Sequence, residues 1–326
     1  MTTLNQPKLV TVFGGSGFVG RHVVRALARR GYSIRVAVRR PDLAGHLQPL
    51  GGVGQIVAVQ ANLRNRESVD RAVQGADHVV NCVGILFESG RNTFDSVQEF
   101  GARAVAEAAR AAGAGLTHIS AIGANTESAS VYARSKGRAE ASILKILPGA
   151  VILRPSIVFG PEDEFFNKFA EMARFAPALP LIGGGATKFQ PVYVGDVAEA
   201  VARSVDGKVS GGVIYELGGP RVMSFKEVLE EILRITQRKR ALVPLPWSVA
   251  SLMGKISSFI PFIDPPLTGD QVVLLKTDNV VSAEAASQRR TLEGMGIAPT
   301  TVEAILPSYL TRYRAHGQYS GTGSEA

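Results

Sequence analysis

Short apolar runs alternate with segments of helical periodicity along the first half of the chain. The runs predict β-strands near residues 8–13, 33–38, 54–60, 77–83, 115–120 and 150–154, with helices between them. Consecutive strands that are joined by helices pair in parallel, and helices then cover both faces of the sheet. The pattern predicts an α/β fold with a doubly wound parallel Rossmann sheet, whose ligands bind at the carboxyl ends of the strands.

The regular alternation ends about halfway along the chain. Prolines and glycines divide the later region into short elements, which favours a smaller mixed α/β C-terminal subdomain. We expect an NAD(P)-binding domain at 1–160 and an interleaved substrate or docking subdomain at 161–316. Thr300 is the expected N-cap of a last helix through Arg314, and the small and polar residues 317–326 are predicted to form a disordered tail.

The segment from Trp247 to Phe262 is amphipathic at helical spacing. Its apolar face comprises Val249, Leu252, Met253, Ile256, Phe259 and Ile260, and Ser251, Lys255 and Ser258 lie opposite. Packing of this face into the core is one interpretation. The flanking aromatic residues also fit a helix that lies at a membrane interface or docks on a partner.

Composition narrows the classes of function. A chain of 326 residues with 45% hydrophobic residues can form a globular α/β domain with an appendage. The single cysteine, Cys82, excludes an internal disulfide, and the five scattered histidines imply no metal. Met1–Lys8 lacks the pattern of a signal peptide, and no apolar stretch approaches the ~20 residues of a membrane-spanning helix. We therefore expect a cytoplasmic protein that is soluble or peripheral.

The net charge of +8 is unevenly distributed. Residues 1–160 contain 19 Lys and Arg against 10 Asp and Glu, whereas the remainder contains 17 against 18. A basic nucleotide domain favours an anionic ligand or an anionic membrane surface. Nucleic acid is not expected as a partner, because no basic run is interleaved with aromatic residues.

A glycine-rich turn follows the first strand. Gly14, Gly17 and Gly20 lie three residues apart, between the apolar run and a helical segment. A side chain in such a turn would collide with a pyrophosphate, and the free N–H groups of the helix bind the anion. We assign these glycines, together with Ser16 and Phe18, to a nicotinamide-nucleotide site. Three glycines alone are also typical of a tight strand-to-helix turn.

Arginines follow the second strand, where NAD-specific sites have an acidic residue. Val38 precedes Arg39 and Arg40. A carboxylate here would bind the ribose hydroxyls of NAD and repel a 2′-phosphate, whereas a guanidinium binds that phosphate with two hydrogen bonds. We expect NADPH (NADP) to be preferred over NADH, with Arg39 as its main ligand and Arg40 and Arg21 as helpers. An exposed arginine pair at the start of a loop is the alternative.

Two further strand ends contain candidate cofactor-binding residues. Asn62 and Leu63 follow the third strand, where the adenine ring is expected, and Val83 and Gly84 follow the fourth. A close-packed strand end would show the same small residues.

Tyr132 and Lys136 lie four residues apart after the fifth strand. On a helix this spacing places the phenol and the ammonium on one face. The lysine can then hold the nicotinamide ribose, and the tyrosine can exchange a proton with a carbonyl or hydroxyl group as hydride moves. The same spacing occurs on ordinary surface helices, and the position after the fifth strand favours the catalytic interpretation.

These residues resemble the short-chain dehydrogenase/reductase superfamily, in its extended or atypical branch. The segments Arg154–Gly160 and Gln190–Val197 resemble that branch's sixth-strand signature and its later strand and helix start. The resemblance covers most of the chain and implies that Pro155 and Ile157 lie beside the cofactor.

The same resemblance raises a question about the catalytic hydroxyl. In active members a Ser or Thr at the end of the fifth strand polarises the substrate oxygen, but here Ala121 occupies the aligned position and Ser120 lies one residue earlier. On a strand, this shift points the hydroxyl to the opposite face. Ser120 is the catalytic candidate, and loss of such a donor costs on the order of 10² to 10³ in rate.

A narrower resemblance lies in several segments: Val12–Gly14, His46–Leu50 with Gly54–Gln55, Phe159–Asp163 with Phe166–Phe169, and Gln190–Val194. They resemble the nucleotide-binding accessory subunits of respiratory complex I, the alpha-subcomplex subunit nine family. This resemblance implies tightly bound NADPH without known turnover, and complex I or another membrane-associated assembly as the partner. Relatives of that family are tied to ubiquinone biosynthesis. Mitochondrial members begin with a presequence, which this chain lacks, so it resembles a bacterial relative at the cytoplasmic face of the inner membrane.

The sequence leaves two functions open. One is an NADPH-binding protein that docks on a membrane complex and holds its cofactor for a structural or redox-sensing role. The other is an NADP-dependent oxidoreductase or epimerase that uses Tyr132 and Lys136 on a small-molecule substrate, either quinone-related or a nucleotide sugar. The balanced charge of the second half favours a neutral or lipophilic substrate over a nucleotide sugar.

Overall fold

Strands and helices alternate along the chain in a computed structural model, which describes residues 8–257 (the backbone alone for 254–257), 268–315 and 317. The strands are β1 (Leu9–Phe13), β2 (Ser33–Val38), β3 (Ile56–Gln60), β4 (His78–Asn81), β5 (Gly115–Ile119), β6 (Val151–Pro155), β7 (Val158–Phe159), β8 (Ala178–Ile182), β9 (Lys188–Phe189), β10 (Val192–Tyr193), β11 (Ile214–Leu217), β12 (Met223–Ser224) and β13 (Ala241–Leu245). The α-helices are α1 (Phe18–Ala28), α2 (Arg66–Val73), α3 (Phe100–Ala111), α4 (Val131–Ile146), α5 (Phe165–Phe175), α6 (Val194–Val205), α7 (Phe225–Thr236), α8 (Trp247–Ser257), α9 (Gly269–Leu274), α10 (Ala283–Ser287) and α11 (Val302–Leu310).

A seven-stranded sheet in the order β11-β6-β5-β4-β1-β2-β3 forms the centre of the fold, and all its neighbouring pairs are parallel. Six of its strands are those predicted from the apolar runs, so the predicted fold class is confirmed. Apolar side chains of the central strands, such as Val10, Val12 and Val36, are fully buried because helices flank the sheet. The seventh strand, β11, escaped prediction because it is short and contains Glu216 among its apolar residues.

The helices over this sheet fall into two groups. α1 packs against α6, and α3 packs against both α2 and α4. Alanines along α3 are buried, which lets its neighbours approach closely. The parallel register places the last residue of β1, Phe13, beside Ala37 of β2 and Asn81 of β4. The carboxyl ends of these strands therefore lie side by side, where the predicted ligand site is expected.

The described residues form two compact units. The first comprises 8–155, Val194–Leu217 and Ala283–Ile297, and the second comprises Ser156–Tyr193, 218–257, 268–282 and 298–315. The first unit contains the whole central sheet. The second contains the two-stranded sheets β7-β10, β9-β12 and β8-β13 and a cluster of aromatic side chains around Phe165 and Phe225. α6 and β11, which follow residue 160, pack with the first unit.

The last helix differs in detail from the prediction. Its N-cap is Thr301, whose hydroxyl accepts a hydrogen bond from the Ala304 N–H at 3.3 Å, so the choice of Thr300 was wrong by one residue. Two consecutive threonines are equivalent caps in a sequence pattern. The α-helix ends at Leu310, and a 3₁₀ turn continues to Tyr313. The predicted tail lies outside the described residues, except for Gly317.

Candidate nucleotide-binding and active site

The turn between β1 and α1 has the close geometry that a phosphate site needs. Gly14 has a φ of +73°, and its carbonyl accepts a hydrogen bond from the Gly17 N–H at 3.0 Å. A Cβ at Gly20 would lie 2.1 Å from the Gly14 oxygen, so only glycine fits there. Gly17 caps α1 without a side-chain hydrogen bond, which leaves the first N–H groups of the helix for an anion. Ser16 and Phe18 flank this cap and are half-buried.

The two arginines after β2 differ in their contacts. The Arg40 guanidinium binds the Asp42 carboxylate through Nη2 at 2.6 Å and Nε at 2.9 Å. Arg39 is exposed, and it makes no hydrogen bond or ion pair within the described ranges. The Arg21 side chain folds back onto the glycine turn, where it donates to the carbonyls of Gly17 and Ser16, each at 3.3 Å. Of the three predicted phosphate ligands, Arg39 is the one that is available to a ligand.

The residues after β3 are engaged in their own turn and in the core. The Asn62 side-chain oxygen accepts a hydrogen bond from the Arg64 N–H at 3.1 Å. Leu63 is 7% exposed and packs on Gly101 of α3, where a Cβ would lie 2.9 Å from the Leu63 Cβ. The half-buried side chain of Asn62 thus has a partner already, and Leu63 contributes to the core.

The chain after β4 lies directly against the glycine turn. The Val83 N–H donates to the Asn81 side chain at 3.1 Å, and a Cβ at Gly14 would lie 3.0 Å from Val83 Cγ2. A Cβ at Gly84 would lie 3.4 Å from the Lys136 ammonium. The structure therefore brings the predicted residues Gly14, Val83, Gly84 and Lys136 together in one place.

Tyr132 and Lys136 lie in the first turns of α4. Ser130 caps this helix by accepting a hydrogen bond from the Ala133 N–H at 3.2 Å. The half-buried Tyr132 ring packs edge-on against Phe94, with 5.8 Å between ring centroids. Lys136 is 4% exposed, and its Nζ donates to the carbonyl of Ile119 at 3.1 Å. The hydrogen bond to Ile119, the last residue of β5, places Lys136 at the carboxyl end of that strand.

The pKa of Lys136 is set by its burial and by a nearby carboxylate. Burial lowers the pKa of Lys136 to about 8, while the Glu140 carboxylate opposes this shift. Burial raises the pKa of the Cys82 thiol to about 12, so the thiol stays protonated at neutral pH. An ammonium with a pKa close to the physiological range can donate to ribose hydroxyls and can also release a proton.

The Ser120 hydroxyl points to a buried carboxylate. It donates a hydrogen bond to Glu140 of α4, and the Arg154 guanidinium binds the same carboxylate. The neighbouring Ala121 is half-buried. The sequence analysis did not identify Glu140, although its position four residues after Lys136 places it on the same helical face.

Pro155 and Ile157 belong to different units. The Pro155 carbonyl, at the end of β6, accepts a hydrogen bond from the Ile122 N–H at 3.0 Å. The Ile157 carbonyl accepts one from the Val192 N–H at 2.9 Å within the second unit. Both backbones are therefore fixed by their own unit.

α8 presents an apolar surface. Val249, Leu252 and Met253 are 42%, 59% and 51% exposed, while Ala250 is fully buried. The Trp247 ring lies on the backbone of the second unit at Gly183, where a Cβ would be 2.0 Å from the ring. The Lys255 and Ile256 side chains, and Ser258, Phe259, Ile260 and Phe262, lie outside the described residues. No helix within the described ranges is both long and apolar enough to cross a bilayer.

Comparisons with known proteins agree with this fold. The model of the NAD dependent epimerase/dehydratase family matches residues 10–218. The mitochondrial NADH dehydrogenase (ubiquinone) 1 alpha subcomplex subunit 9 of Arabidopsis thaliana is 33% identical over 325 residues, which cover 96% of this chain and 80% of that protein. The ceramide reductase of Caulobacter vibrioides is 31% identical over 240 residues, which cover 73% of this chain and 74% of that protein.

A solved structure shows the same fold. The NADPH-dependent quinone oxidoreductase of Escherichia coli, in complex with NADPH, superposes with a TM-score of 0.71 over 93% of this chain and 99% of that chain. Its sequence identity is 19%, so this similarity concerns the fold alone.

Proposed function

Because this chain belongs to the NAD dependent epimerase/dehydratase family, we propose that it binds NADP(H) and keeps the nucleotide as a structural or redox-sensing ligand of a membrane-associated assembly. The proposed preference for NADPH rests on the surroundings of Arg39. Its guanidinium is exposed at the end of β2, beside the glycine turn, and is not engaged by another described residue. A 2′-phosphate would give it a bidentate partner.

The experiment for nucleotide choice is a pair of calorimetric titrations with NADPH and NADH, on protein from which any bound nucleotide has been removed. We expect NADPH to bind more tightly, because one charge-assisted contact separates the two ligands and is worth roughly tenfold or more in affinity. Equal affinities would contradict the assignment of Arg39.

The proposed partner is respiratory complex I. The support is similarity to the alpha-subcomplex subunit 9 that spans 96% of this chain, together with the engagement of Ser120 by Glu140, which leaves the polarising position to Ala121. We propose that the chain docks at the cytoplasmic face of the inner membrane. A chromosomally tagged chain, captured from membranes in mild detergent, should carry complex I subunits with it. Recovery of the tagged chain without them would contradict this partner.

A second function is favoured by the active-site pair. Lys136 is buried at the end of β5 and Tyr132 lies one turn before it, which is the arrangement needed for hydride transfer coupled to proton transfer. The similarity to a ceramide reductase and the balanced charge of the second half support a neutral, lipid-like carbonyl substrate. The alternative function is therefore NADPH-dependent reduction of a lipophilic ketone.

Tyr132→Phe separates the two functions. It removes only the phenolic oxygen, so a reductase should lose on the order of 10² to 10⁴ in turnover while NADPH affinity is kept. A structural subunit should keep both its nucleotide and its partner. Failure of the folded, NADPH-loaded Phe variant to support complex I would contradict the structural role.

A further inference from the structure

A buried carboxylate, Glu140, connects the candidate site to the sheet. Glu140 is 3% exposed. Arg154 donates to it twice, from Nε to Oε1 at 2.9 Å and from Nη2 to Oε2 at 2.5 Å, and the Ser120 hydroxyl donates as well. Three charge-assisted hydrogen bonds fix this carboxylate in one orientation.

The cluster around Glu140 contains a second carboxylate. Glu216 of β11 lies beside Arg154 in the sheet register, and its Oε1 is 3.6 Å from Arg154 Nη1. The Arg154 guanidinium thus lies between the two carboxylates. Lys136 lies one helical turn before Glu140, so its ammonium is on the same face of α4 as this carboxylate.

The other titratable groups that face Lys136 do not supply a negative charge. Cys82, from the end of β4, stays a thiol because burial raises its pKa to about 12. His118, from β5, is 1% exposed, and burial lowers its pKa, so it is neutral. Its two ring nitrogens have no hydrogen-bond partner in the described part of the chain. Glu99 lies on the other side of α4, where it is paired with Arg138 at 3.7 Å.

We propose that Glu140 is a positioning residue of this site. Its fixed carboxylate keeps the Lys136 ammonium protonated where the ribose hydroxyls of the nucleotide bind. Ser120 and Arg154 act on Lys136 through this carboxylate, and Ser120 thereby serves the charge cluster instead of a substrate. The inference rests on the proposed binding of NADP(H) at Lys136, and it adds a residue that does not touch the nucleotide.

The test is a direct titration of Lys136 in the nucleotide-free protein. The chain is labelled with ¹³C at lysine Cε, and the Lys136 signal is assigned by its loss in Lys136→Met. We expect the titration midpoint of Glu140→Gln to fall by roughly one pH unit or more, which corresponds to a tenfold change in the protonation equilibrium. Glu216→Gln is the matched control. It removes an equal charge from the far side of Arg154, so its shift should be clearly smaller.

An unchanged midpoint in folded Glu140→Gln would overturn the proposal, and so would equal shifts in the two variants. If Glu140→Gln does not fold, Glu140→Asp decides. It keeps a charge for Arg154 but withdraws the carboxylate by one methylene, so the midpoint should fall by a smaller, measurable amount. No shift in Glu140→Asp would also overturn the proposal.

A second measurement separates this inference from the proposed function. NADPH should bind Glu140→Gln about fivefold more weakly than it binds the parent protein at a pH near 8, and the difference should narrow as the pH falls and Lys136 regains its proton. If the parent protein binds no NADPH, the proposed function fails, whereas the lysine titration still decides the role of Glu140. A difference in affinity that is independent of pH would contradict the positioning role.

Discussion

At the scale of single residues, the proposed nucleotide site depends on two cations, Arg39 as the proposed ligand of the 2′-phosphate and Lys136 as the proposed ligand of the ribose. Arg39 is exposed and available, whereas its neighbour Arg40 is bound to Asp42. Lys136 is buried and held by the Ile119 carbonyl. Both side chains could be chosen from the sequence as cofactor-binding candidates, because Arg39 directly follows the second strand and Lys136 lies on the helix after the fifth. It did not predict that Ser120 and Arg154 meet on Glu140, because that contact joins two strands and a helix.

Arg39→Asp should reverse the nucleotide preference. The change removes the phosphate partner and adds a carboxylate that repels the phosphate, so NADPH affinity should fall by roughly ten- to a hundredfold and NADH affinity should hold or rise. Calorimetric titration measures both. Arg25→Asp is the control, since it makes the same charge change at an exposed position of α1. Unchanged NADPH affinity in the Arg39 variant would exclude this residue as the phosphate ligand.

The lowered pKa of Lys136 predicts a pH dependence of stability. The unfolded chain retains the lysine proton up to its ordinary pKa, whereas the folded protein releases it near pH 8. The unfolded state therefore binds more protons between these values, and the free energy of unfolding should rise with pH across this window. Relative to Lys136→Met, the parent protein should gain about 1–2 kcal/mol between about pH 7 and about pH 9.5. Urea unfolding at both pH values measures it, and parallel pH profiles would contradict the burial of a charged Lys136.

At the scale of elements, the turn before α1 and the surface of α8 matter most. The glycine turn was predictable because its spacing reflects a steric requirement within seven residues. The apolar face of α8 was also visible in the sequence, and the structure shows Leu252 and Met253 exposed. The strand β11 was not predictable, since four residues with a central glutamate resemble a loop until they pair with β6.

Gly20→Ala should disrupt the turn. The new methyl would meet the Gly14 carbonyl and the Gly15 backbone, so β1 and α1 must move apart. We expect a loss of about 1–3 kcal/mol in the free energy of unfolding, together with loss of nucleotide binding. Gly45→Ala is the matched control, because no atom lies within 4 Å of its added methyl. Normal nucleotide affinity in the Gly20 variant would contradict the role of the turn.

The α8 surface is tested by Leu252→Glu combined with Met253→Glu. Both side chains are more than half exposed, so the fold should persist. If α8 is the docking surface, the fraction of protein that sediments with native membranes should fall several-fold, as expected when buried apolar area is lost (~0.8 kcal/mol per CH₂). Val57→Glu, at a similarly exposed position on β3, should leave sedimentation unchanged. Equal membrane binding by the double variant and the parent protein would exclude α8 as the docking surface.

At the scale of the whole molecule, the central sheet and the family of the chain are established. The proposed structural or sensing role depends on whether the protein retains a bound nucleotide. Six of the seven sheet strands follow from the apolar runs, because a buried parallel strand needs apolar residues on both faces. The division of later segments between the two units depends on contacts far apart in sequence, so α6 and β11 could not be placed with the first unit from pattern alone. The excess of positive charge in residues 1–160 fits a domain that holds an anionic nucleotide.

Retention of NADP(H) by the folded protein is measured on protein purified without added cofactor. The protein is denatured, and the released nucleotide is identified by absorbance and mass. We predict stoichiometric NADPH or NADP, because a structural or sensing ligand must survive purification. An empty site, or one that contains NADH, would contradict the account.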